Sequence, residues 1–528
     1  MSLWAFARGL MMFKLGSKNV GMSVFYFLLP FFGGVLMGVT TSPVEAWPLA
    51  WVALVPLWVC VKRQAEKGWK FFVLLPLLWA FGYHGVALFW ITGIHPMTWM
   101  GVPWLASLAI AFFCWVFITF WGAALVTFWA FCLRLIVKKK PKVSGWLWVL
   151  TGTALWCFLE AVWSSGPLWW TSLSYTQSPH NLLILQLGKI GGPTAITAAI
   201  VAVNGLIAEG LMKWDKKAKM RRDLVVAGGI LVLLHLTGLG IYLQPVATPS
   251  EMALKVGIIQ GNIPNTIKLF EKGKNRAMDN YTKGYQELAL RGVDAVLTPE
   301  GALPYYFDDL KNAPIFKAVL DKKVVLWLGA FGEQGLSYTN SLFTVMGNGE
   351  AFSRYNKVKL VPLGEYIPFE NVLGKLIDRL SPLDAHMAAG SSNQVFDTPF
   401  GRAIMGICYE SAFAEHFRRQ AALGGQFILT ASNNAHYAET MPAQHHAQDV
   451  MRAIETDRWA VRSTNTGYSG IVDPHGNTIW LSGINSFEVH SDVIYRRNSQ
   501  TLYVRWGDWL VPVLLGLAGM GWIFNRRC

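Results

Sequence analysis

Residues 104–136 read WLASLAIAFFCWVFITFWGAALVTFWAFCLRLI, and Lys138, Lys139, Lys140 and Lys142 follow almost at once. A helix crosses about 30 Å of hydrocarbon with roughly 20 mostly apolar residues, so this run reads as a membrane span with length left over for tilt. Outward from it lie further apolar stretches at 23–41, 46–61, 70–92, 145–165, 181–212, 223–243 and 508–525, so eight transmembrane helices are expected. The composition of the 528-residue chain agrees. Charged residues are 15%, aromatic residues are 14% and Trp occurs 25 times, while ordinary globular chains carry about 25% charged residues. With a mean hydropathy of +0.33, the disordered and fibrous classes are excluded.

The net charge of +14 raises the question of nucleic acid, and the positions of the basic residues answer it. Arg8, Lys14 and Lys18 precede the first stretch. Lys62, Arg63, Lys67 and Lys70 follow the second, the four lysines named above follow the fourth, and Lys213, Lys216, Lys217, Lys219, Arg221 and Arg222 follow the sixth. Arg526 and Arg527 follow the last, whereas 42–45, 93–103 and 166–180 contain no Lys or Arg. The positive-inside rule then places both termini in the cytoplasm and the hydrophilic stretch 245–507 on the far side, periplasmic or extracellular. The expected domains are 1–244 with seven spans, 245–507, and a last span within 508–528; nucleic acid is not an expected partner. Val44-Glu45-Ala46 weakly resembles a signal-peptidase site, but the first run is too long for a signal peptide and reads as a retained helix. Glu160 and His84 lie inside apolar runs, where ionisable groups are functional suspects, although interfacial placement is the plainer reading. Trp169, Trp170 and Tyr175 read as interfacial anchors.

From residue 253 onward the pattern changes to short β-rich runs separated by amphipathic stretches, as in an α/β layered domain. Strands are expected at Leu254–Ile259, Ala295–Thr298, Val324–Gly329, Ser341–Met346, Ala403–Ile407, Phe427–Ala431, Ala460–Ser463 and Gly470–Val472. Helices are expected at Arg276–Arg291, Asp308–Leu320, Ala412–Leu423 and Ala443–Asp457. Pro399-Phe400-Gly401 and Pro474-His475-Gly476-Asn477 have the composition of hairpin turns. Between Tyr366 and Gln394 the periodicity fades, which suggests an exposed arm able to touch lipid, or else a helix packed on the domain.

Three positions place a reactive residue type directly after an apolar strand, where a rigid element presents a side chain to a cleft. They are Glu300 in Leu297-Thr298-Pro299-Glu300-Gly301, Lys357 in Arg354-Tyr355-Asn356-Lys357, and Cys408 in Gly406-Ile407-Cys408-Tyr409-Glu410. Glu365 and Glu410 add carboxylates nearby. Of the six cysteines, Cys60, Cys114, Cys132 and Cys157 belong to apolar segments and Cys528 ends the chain, which leaves Cys408 alone in polar sequence. Neither a disulfide framework nor a thiolate zinc site is expected. A thiol with an ordinary pKa near 8.5 is a poor nucleophile at neutral pH without a base or a cation, and Glu and Lys supply both. Taken singly, each of these residues has a plainer reading: a buried inert thiol, a surface lysine, a solvated carboxylate.

Together, these blocks resemble the nitrilase superfamily. They comprise Pro299-Glu300; Tyr355-Asn356-Lys357 with Leu360-Val361-Pro362-Leu363-Gly364-Glu365; Gly406-Ile407-Cys408-Tyr409-Glu410; Ala431-Ser432-Asn433-Asn434; and Arg462-Ser463-Thr464-Asn465-Thr466-Gly467. With spans on both sides, nearly the whole chain is similar to the apolipoprotein N-acyltransferase family. The resemblance implies an αββα sandwich on the outer face of the cytoplasmic membrane. It also implies a ping-pong reaction in which a cysteine takes a fatty acyl chain from a phospholipid as a thioester and passes it to the α-amino group of a diacylated apolipoprotein. Glu300 would be the general base, Lys357 the oxyanion stabiliser and Cys408 the nucleophile, with Glu365 and Glu410 in support. Lys359 competes for the lysine role, but the spacing to Leu363-Gly364-Glu365 favours Lys357. No cofactor is expected.

The chain departs from the family pattern in two places. Asn434-Ala435-His436-Tyr437-Ala438 lacks the usual Trp-like residue after the Asn block, and Gly166-Pro167-Leu168-Trp169-Trp170 replaces a Gly-Phe-Pro-Trp-like segment, with no Arg after Glu160. Both departures concern the lipid entrance and not the reactive centre. His436, His445 and His446 near Glu439 and Asp449 invite a metal reading, but adjacent histidines rarely share a tetrahedral site and no HExxH is present, so they read as polar-loop histidines and no metal is expected. The rival functions are a carbon–nitrogen hydrolase, another lipid-linked N-acyltransferase, and a catalytically inactive membrane binding module.

Overall fold

The computed structural model describes residues 20–63, 69–139, 143–362, 364–366, 387–435, 437 and 439–525. Most of the arm between Tyr366 and Gln394 lies outside them, as do His436, the basic residues Arg8, Lys14, Lys18, Lys67, Lys140, Lys142, Arg526 and Arg527, and Cys528. The chain divides into two compact units. One is formed by the described parts of Met1–Thr92, Ile110–Leu243 and Asp508–Cys528, the other by Gly93–Ala109 and the described parts of Gln244–Gly507.

The first unit is helical. Among the described residues four helices are long and apolar enough to cross a membrane: Trp104–Ile136, Gly145–Ser165, Gly188–Leu211 and Lys217–Tyr242, while Phe27–Gly38, Val73–Ala87 and Leu510–Phe524 are shorter apolar helices. The stretch 46–61, expected as one span, is instead three pieces, Trp47–Leu49, Ala50–Ala53 and Val55–Arg63. Asn204 explains the break. Its side chain accepts from the Leu54 N–H at 3.0 Å and donates to the Ala50 oxygen at 2.9 Å, occupying the two backbone groups that a continuous helix would join. The stretch 181–212 is also interrupted, at Gly191-Gly192-Pro193, where Gly191 (φ −136°) and Gly192 (φ 60°) leave helical geometry ahead of a proline that has no N–H to donate.

The centre of this unit is aromatic. Trp58 packs edge-on against Trp129 and Trp148, with ring centroids 5.0 and 6.2 Å apart, and Trp129 meets Trp156 at 5.1 Å. Glu160 is buried beside them and accepts from Trp156 Nε1, Ser172 Oγ, the Leu173 N–H and Thr197 Oγ1 at 2.9–3.1 Å. It therefore ties the irregular segment after Gly145–Ser165 to the helix Gly188–Leu211. Trp169, Trp170 and Tyr175, expected as interfacial anchors, are buried in the same segment. His84 is buried too, with its Nδ1 bonded to Thr171 Oγ1 at 2.9 Å.

Among its described residues the second unit carries two six-stranded sheets. Its strands are β1 Ala253–Gln260, β2 Ala295–Leu297, β3 Val325–Gln334, β4 Ser337–Val345, β5 Ala351–Asn356, β6 Phe396–Thr398, β7 Gly401–Ile407, β8 Phe427–Ser432, β9 Ala460–Thr464, β10 Gly470–Val472, β11 Thr478–Leu481 and β12 Glu488–Tyr495. The orders are β12-β1-β2-β3-β4-β5 and β11-β10-β9-β8-β7-β6. In the first sheet β1, β2 and β3 run parallel, and in the second β7, β8 and β9 do. The period-two alternation of strand side chains divides the burial. Val325 and Trp327 join Val256, Leu297, Met405, Leu429 and Val461 in one core shared by the two sheets. Leu326 and Leu328 face the other way, into a core with Tyr281, Tyr285 and Leu288 of helix α1 (Glu271–Leu290) and Phe316 and Val319 of helix α2 (Pro314–Lys322).

All eight expected strands are present, and the four not anticipated, β5, β6, β11 and β12, are the sheet edges. The helix expected at Asp308–Leu320 is split into Phe307–Leu310 and α2, because Pro314 opens a new helix at its first position. The helix expected at Ala412–Leu423 is α3 (Ala414–Ala422), preceded by a tight turn Cys408–Ala412. His445 and His446 are buried in helix α4 (Thr440–Thr456) and do not belong to a polar loop.

Candidate active site

Three strand ends converge in the second unit. Glu300 follows β2 on a turn that lies directly against β3. A Cβ on Gly329 would sit 2.0 Å from the Pro299 oxygen, so only glycine permits this approach. Lys357 follows β5, with its N–H bonded to the Asn340 oxygen of β4 at 2.9 Å. Cys408 follows β7 with φ +52°, a left-handed conformation that a side chain adopts only under constraint from its surroundings. The constraint is visible: His445 Nε2 donates to the Cys408 oxygen at 2.8 Å, and Glu410 Oε2 accepts from the Ile407 N–H at 2.7 Å.

The charged groups form one buried network. Lys357 Nζ donates to Glu300 Oε1 at 2.8 Å and to Glu365 Oε1 at 2.7 Å, and its side chain is only 1% exposed. Glu300 Oε1 also accepts from Asn340 Nδ2 at 2.7 Å, and its Oε2 accepts from the Asn433 N–H at 2.9 Å. Glu365 Oε2 accepts from the Val361 N–H at 2.8 Å. Cys408 lies within electrostatic reach of Glu300, Lys357 and Glu365. The structure thus brings together Glu300, Lys357, Glu365 and Cys408. Lys359, the competitor for the lysine role, instead points its ammonium at the Phe413 ring, 4.8 Å away.

The network sets the protonation states. Burial would push the Glu300 carboxyl up, but the adjoining Lys357 ammonium outweighs it and holds Glu300 below the usual carboxylate range. Burial likewise opposes the charge on Lys357, yet Glu300 and Glu365 around it raise its pKa well above that of an ordinary lysine. Glu365 is pushed up, by burial first and by the Glu300 charge, against the pull of Lys357. Burial, reinforced by Glu300, also raises the Cys408 thiol, and Lys357 only partly offsets this. At neutral pH the pair Glu300⁻/Lys357⁺ therefore stands beside a protonated thiol. A protonated thiol can act as a nucleophile only on losing its proton, and Glu300 is the neighbouring ionised carboxylate able to receive one.

Glu410 does something different. Its Oε1 accepts from the Val358 and Lys359 N–H groups at 2.6 and 3.0 Å, and its Oε2 accepts from Tyr355 Oη at 3.0 Å as well as from Ile407. It joins the turn that carries the thiol to the segment that carries the ammonium and is fully buried.

Comparison with known proteins places the chain in a family. Residues 33–206 match the apolipoprotein N-acyltransferase N-terminal domain, and residues 255–490 match the carbon-nitrogen hydrolase family. Apolipoprotein N-acyltransferase of Nostoc sp. (strain PCC 7120) is 60% identical over 93% of this chain and 97% of its own length. The Synechocystis sp. (strain PCC 6803) protein of the same name is 48% identical over 93% of this chain and 98% of its own. The chain belongs to the apolipoprotein N-acyltransferase family. Among solved structures, a mutant of the Nesterenkonia AN1 amidase from the nitrilase superfamily is similar with a TM-score of 0.37 and 16% identity, covering 49% of this chain and 96% of that one.

Within this family member several residues of the site carried no signal as reactive types. Asn340 comes from the middle of β4, Asn433 contributes a main-chain N–H, and His445 reaches the Cys408 turn from α4. Asn433 lies in the quoted Ala431-Ser432-Asn433-Asn434 block, but the part it plays is a backbone one that any residue type carries out. His445 reads from the sequence, with its histidine neighbours, as a polar-loop residue. It instead serves the backbone of Cys408 and bonds Asn434 Oδ1 at 3.3 Å. Among the described residues, no group of three or more His, Cys, Asp or Glu side chains is placed to hold a metal ion.

Proposed function

We propose that this protein transfers a fatty acyl chain from a phospholipid, through a Cys408 thioester, to the α-amino group of the N-terminal S-diacylglyceryl-cysteine of an apolipoprotein. The observation that carries the reading is the buried Glu300–Lys357–Glu365 network beside a protonated thiol on a strained turn, in a chain of the apolipoprotein N-acyltransferase family. Cys408 Sγ attacks the ester carbonyl carbon while Glu300 takes the thiol proton, and the carbonyl oxygen, now an anion, is met by the Lys357 ammonium. Collapse breaks the ester C–O bond. The departing alkoxide takes the proton from Glu300 and leaves as lysophospholipid, with the acyl group on Cys408. The amine then attacks the thioester carbonyl, Glu300 accepts its proton, and the C–S bond breaks with return of that proton to the thiolate. Glu365 holds Lys357 from its other side, and Glu410 keeps the lysine and cysteine segments in register.

The same reading takes the two sheets as the inner layers of an αββα sandwich spanning 245–507, between a seven-span membrane domain at 1–244 and a last span at 508–528. The run of basic residues after alternate spans supports eight spans in all, cytoplasmic termini and a catalytic domain on the outer face of the cytoplasmic membrane. An ester donor needs no nucleotide, which suits that compartment.

Intact mass spectrometry after incubation with phosphatidylethanolamine and no acceptor tests the proposal. A hydroxylamine-labile fatty acyl adduct is expected on the native chain and absent from Cys408→Ala, and addition of a diacylated lipopeptide should discharge it as N-acyl product. Absence of an adduct across several phospholipids, with the protein folded, would overturn the lipid-donor step.

A further inference from the structure

One more cation lies in the site. Lys268 closes the short turn Asn265–Lys268 that follows β1, its side chain is buried, and it donates to the main-chain oxygen of Glu300 at 3.2 Å. Lysine is rarely buried to this degree without a partner, and here one of three N–H donors goes to a neutral carbonyl beside a carboxylate. The same turn reaches the other end of Glu300. Asn265 Oδ1 accepts from Asn433 Nδ2 at 3.3 Å, and the Asn433 N–H is the donor to Glu300 Oε2. The turn is held down by the start of α1, where a Cβ on Gly273 would sit 1.9 Å from the Ile267 oxygen.

We propose that Lys268 is a positioning residue for Glu300: it clamps the main chain of the base and places a second positive charge beside it, keeping it ionised while Lys357 attends the oxyanion. This rests on Glu300 being the base. Among the described residues, the titratable groups facing Glu300 are Lys357, Glu365, Cys408, Tyr437 and Lys268, of which the two lysines are the cations. In the resting site Lys357 divides its hydrogen bonds between Glu300 and Glu365, and an oxyanion draws on the same ammonium. Lys268 is not shared in this way. Burial lowers its pKa to about 8, with Glu300 and Cys408 pulling the other way, so it is mostly protonated at neutral pH.

The test uses the full-length protein in phospholipid–detergent micelles. Lys268→Gln keeps a donor for the Glu300 oxygen without the charge, and Lys268→Met removes both. Two pH profiles are measured: single-turnover acylation from phosphatidylethanolamine, and alkylation of Cys408 by iodoacetamide, followed on the Cys408 peptide by mass. Loss of a cation raises a carboxyl pKa, so the acid limb of both profiles is expected at higher pH in Lys268→Gln. Acylation should be about tenfold slower or worse, with KM for the lipid unchanged. An acid limb that stays in place in a folded variant overturns the inference whether or not the rate falls, because a merely structural lysine would lower the rate without moving the limb. Loss of folding in both variants overturns it in favour of a structural role. Glu300→Gln separates this failure from that of the underlying reading: if that variant acylates at the native rate with the native acid limb, Glu300 is not the base.

Discussion

Lys357 is held between two carboxylates at 2.7 and 2.8 Å, and both its position and its charge depend on them. Removing one oxyanion donor costs about 10²–10³ in rate, so Lys357→Ala should slow single-turnover acylation by that factor. Near-normal turnover would remove the role proposed for it. Glu300 is held below the ordinary glutamate range of about 4.3, so its ionised form persists as pH falls until that lowered pKa is crossed. The acid limb of acylation should therefore lie below pH 4.3, and a profile failing near pH 6 would contradict the assignment. Glu410 makes a different prediction, because its importance is structural. Glu410→Ala would leave three backbone N–H groups and Tyr355 Oη without their acceptor in a buried site. Each buried donor left without its acceptor costs about 1–3 kcal/mol, so this variant should melt well below the native protein and lose activity with it. Glu410→Gln, which keeps one acceptor oxygen, should melt between the two.

At the scale of elements, legibility followed burial. The central strands β1, β2, β3, β7, β8 and β9 are largely buried, whereas the edge strands β5, β11 and β12 are mostly half-buried or exposed, and β6, buried at two of its three residues, is too short to show a period. Hydrophobic periodicity records a buried face, so an edge strand such as Thr478–Leu481, mostly exposed, leaves little trace in it. Asn204 shows the same limit in the helical unit. The residues 46–61 are apolar enough for a span, and a single amide from a distant helix breaks their ladder. Asn204→Leu should lower the melting temperature in detergent, since each buried backbone group left unpaired costs about 1–3 kcal/mol. An unchanged melt would mean that the segment closes into a continuous helix once the amide is gone.

For the molecule as a whole, the topology inferred from the basic loops is open to direct test. A cysteine placed at the exposed Leu336, in a chain with Cys528→Ser, should react with a membrane-impermeant maleimide added to intact spheroplasts. Labelling only after lysis would reverse the proposed orientation. The membrane character, the alternation of basic loops and the three positions proposed as reactive could all be read from the sequence, because hydropathy, charge and residue type are local properties that each segment carries by itself. Whether those positions meet was not legible. Glu300 and Lys357 follow strands of one sheet and Cys408 follows a strand of the other, and their convergence depends on the packing of the two sheets over a common core. The clamp of Lys268 on Glu300, the grip of His445 on the Cys408 turn and the bridge made by Glu410 were likewise decided by tertiary structure. Each is a hydrogen bond between segments brought together only by folding, and no local pattern of residues encodes a distance between them.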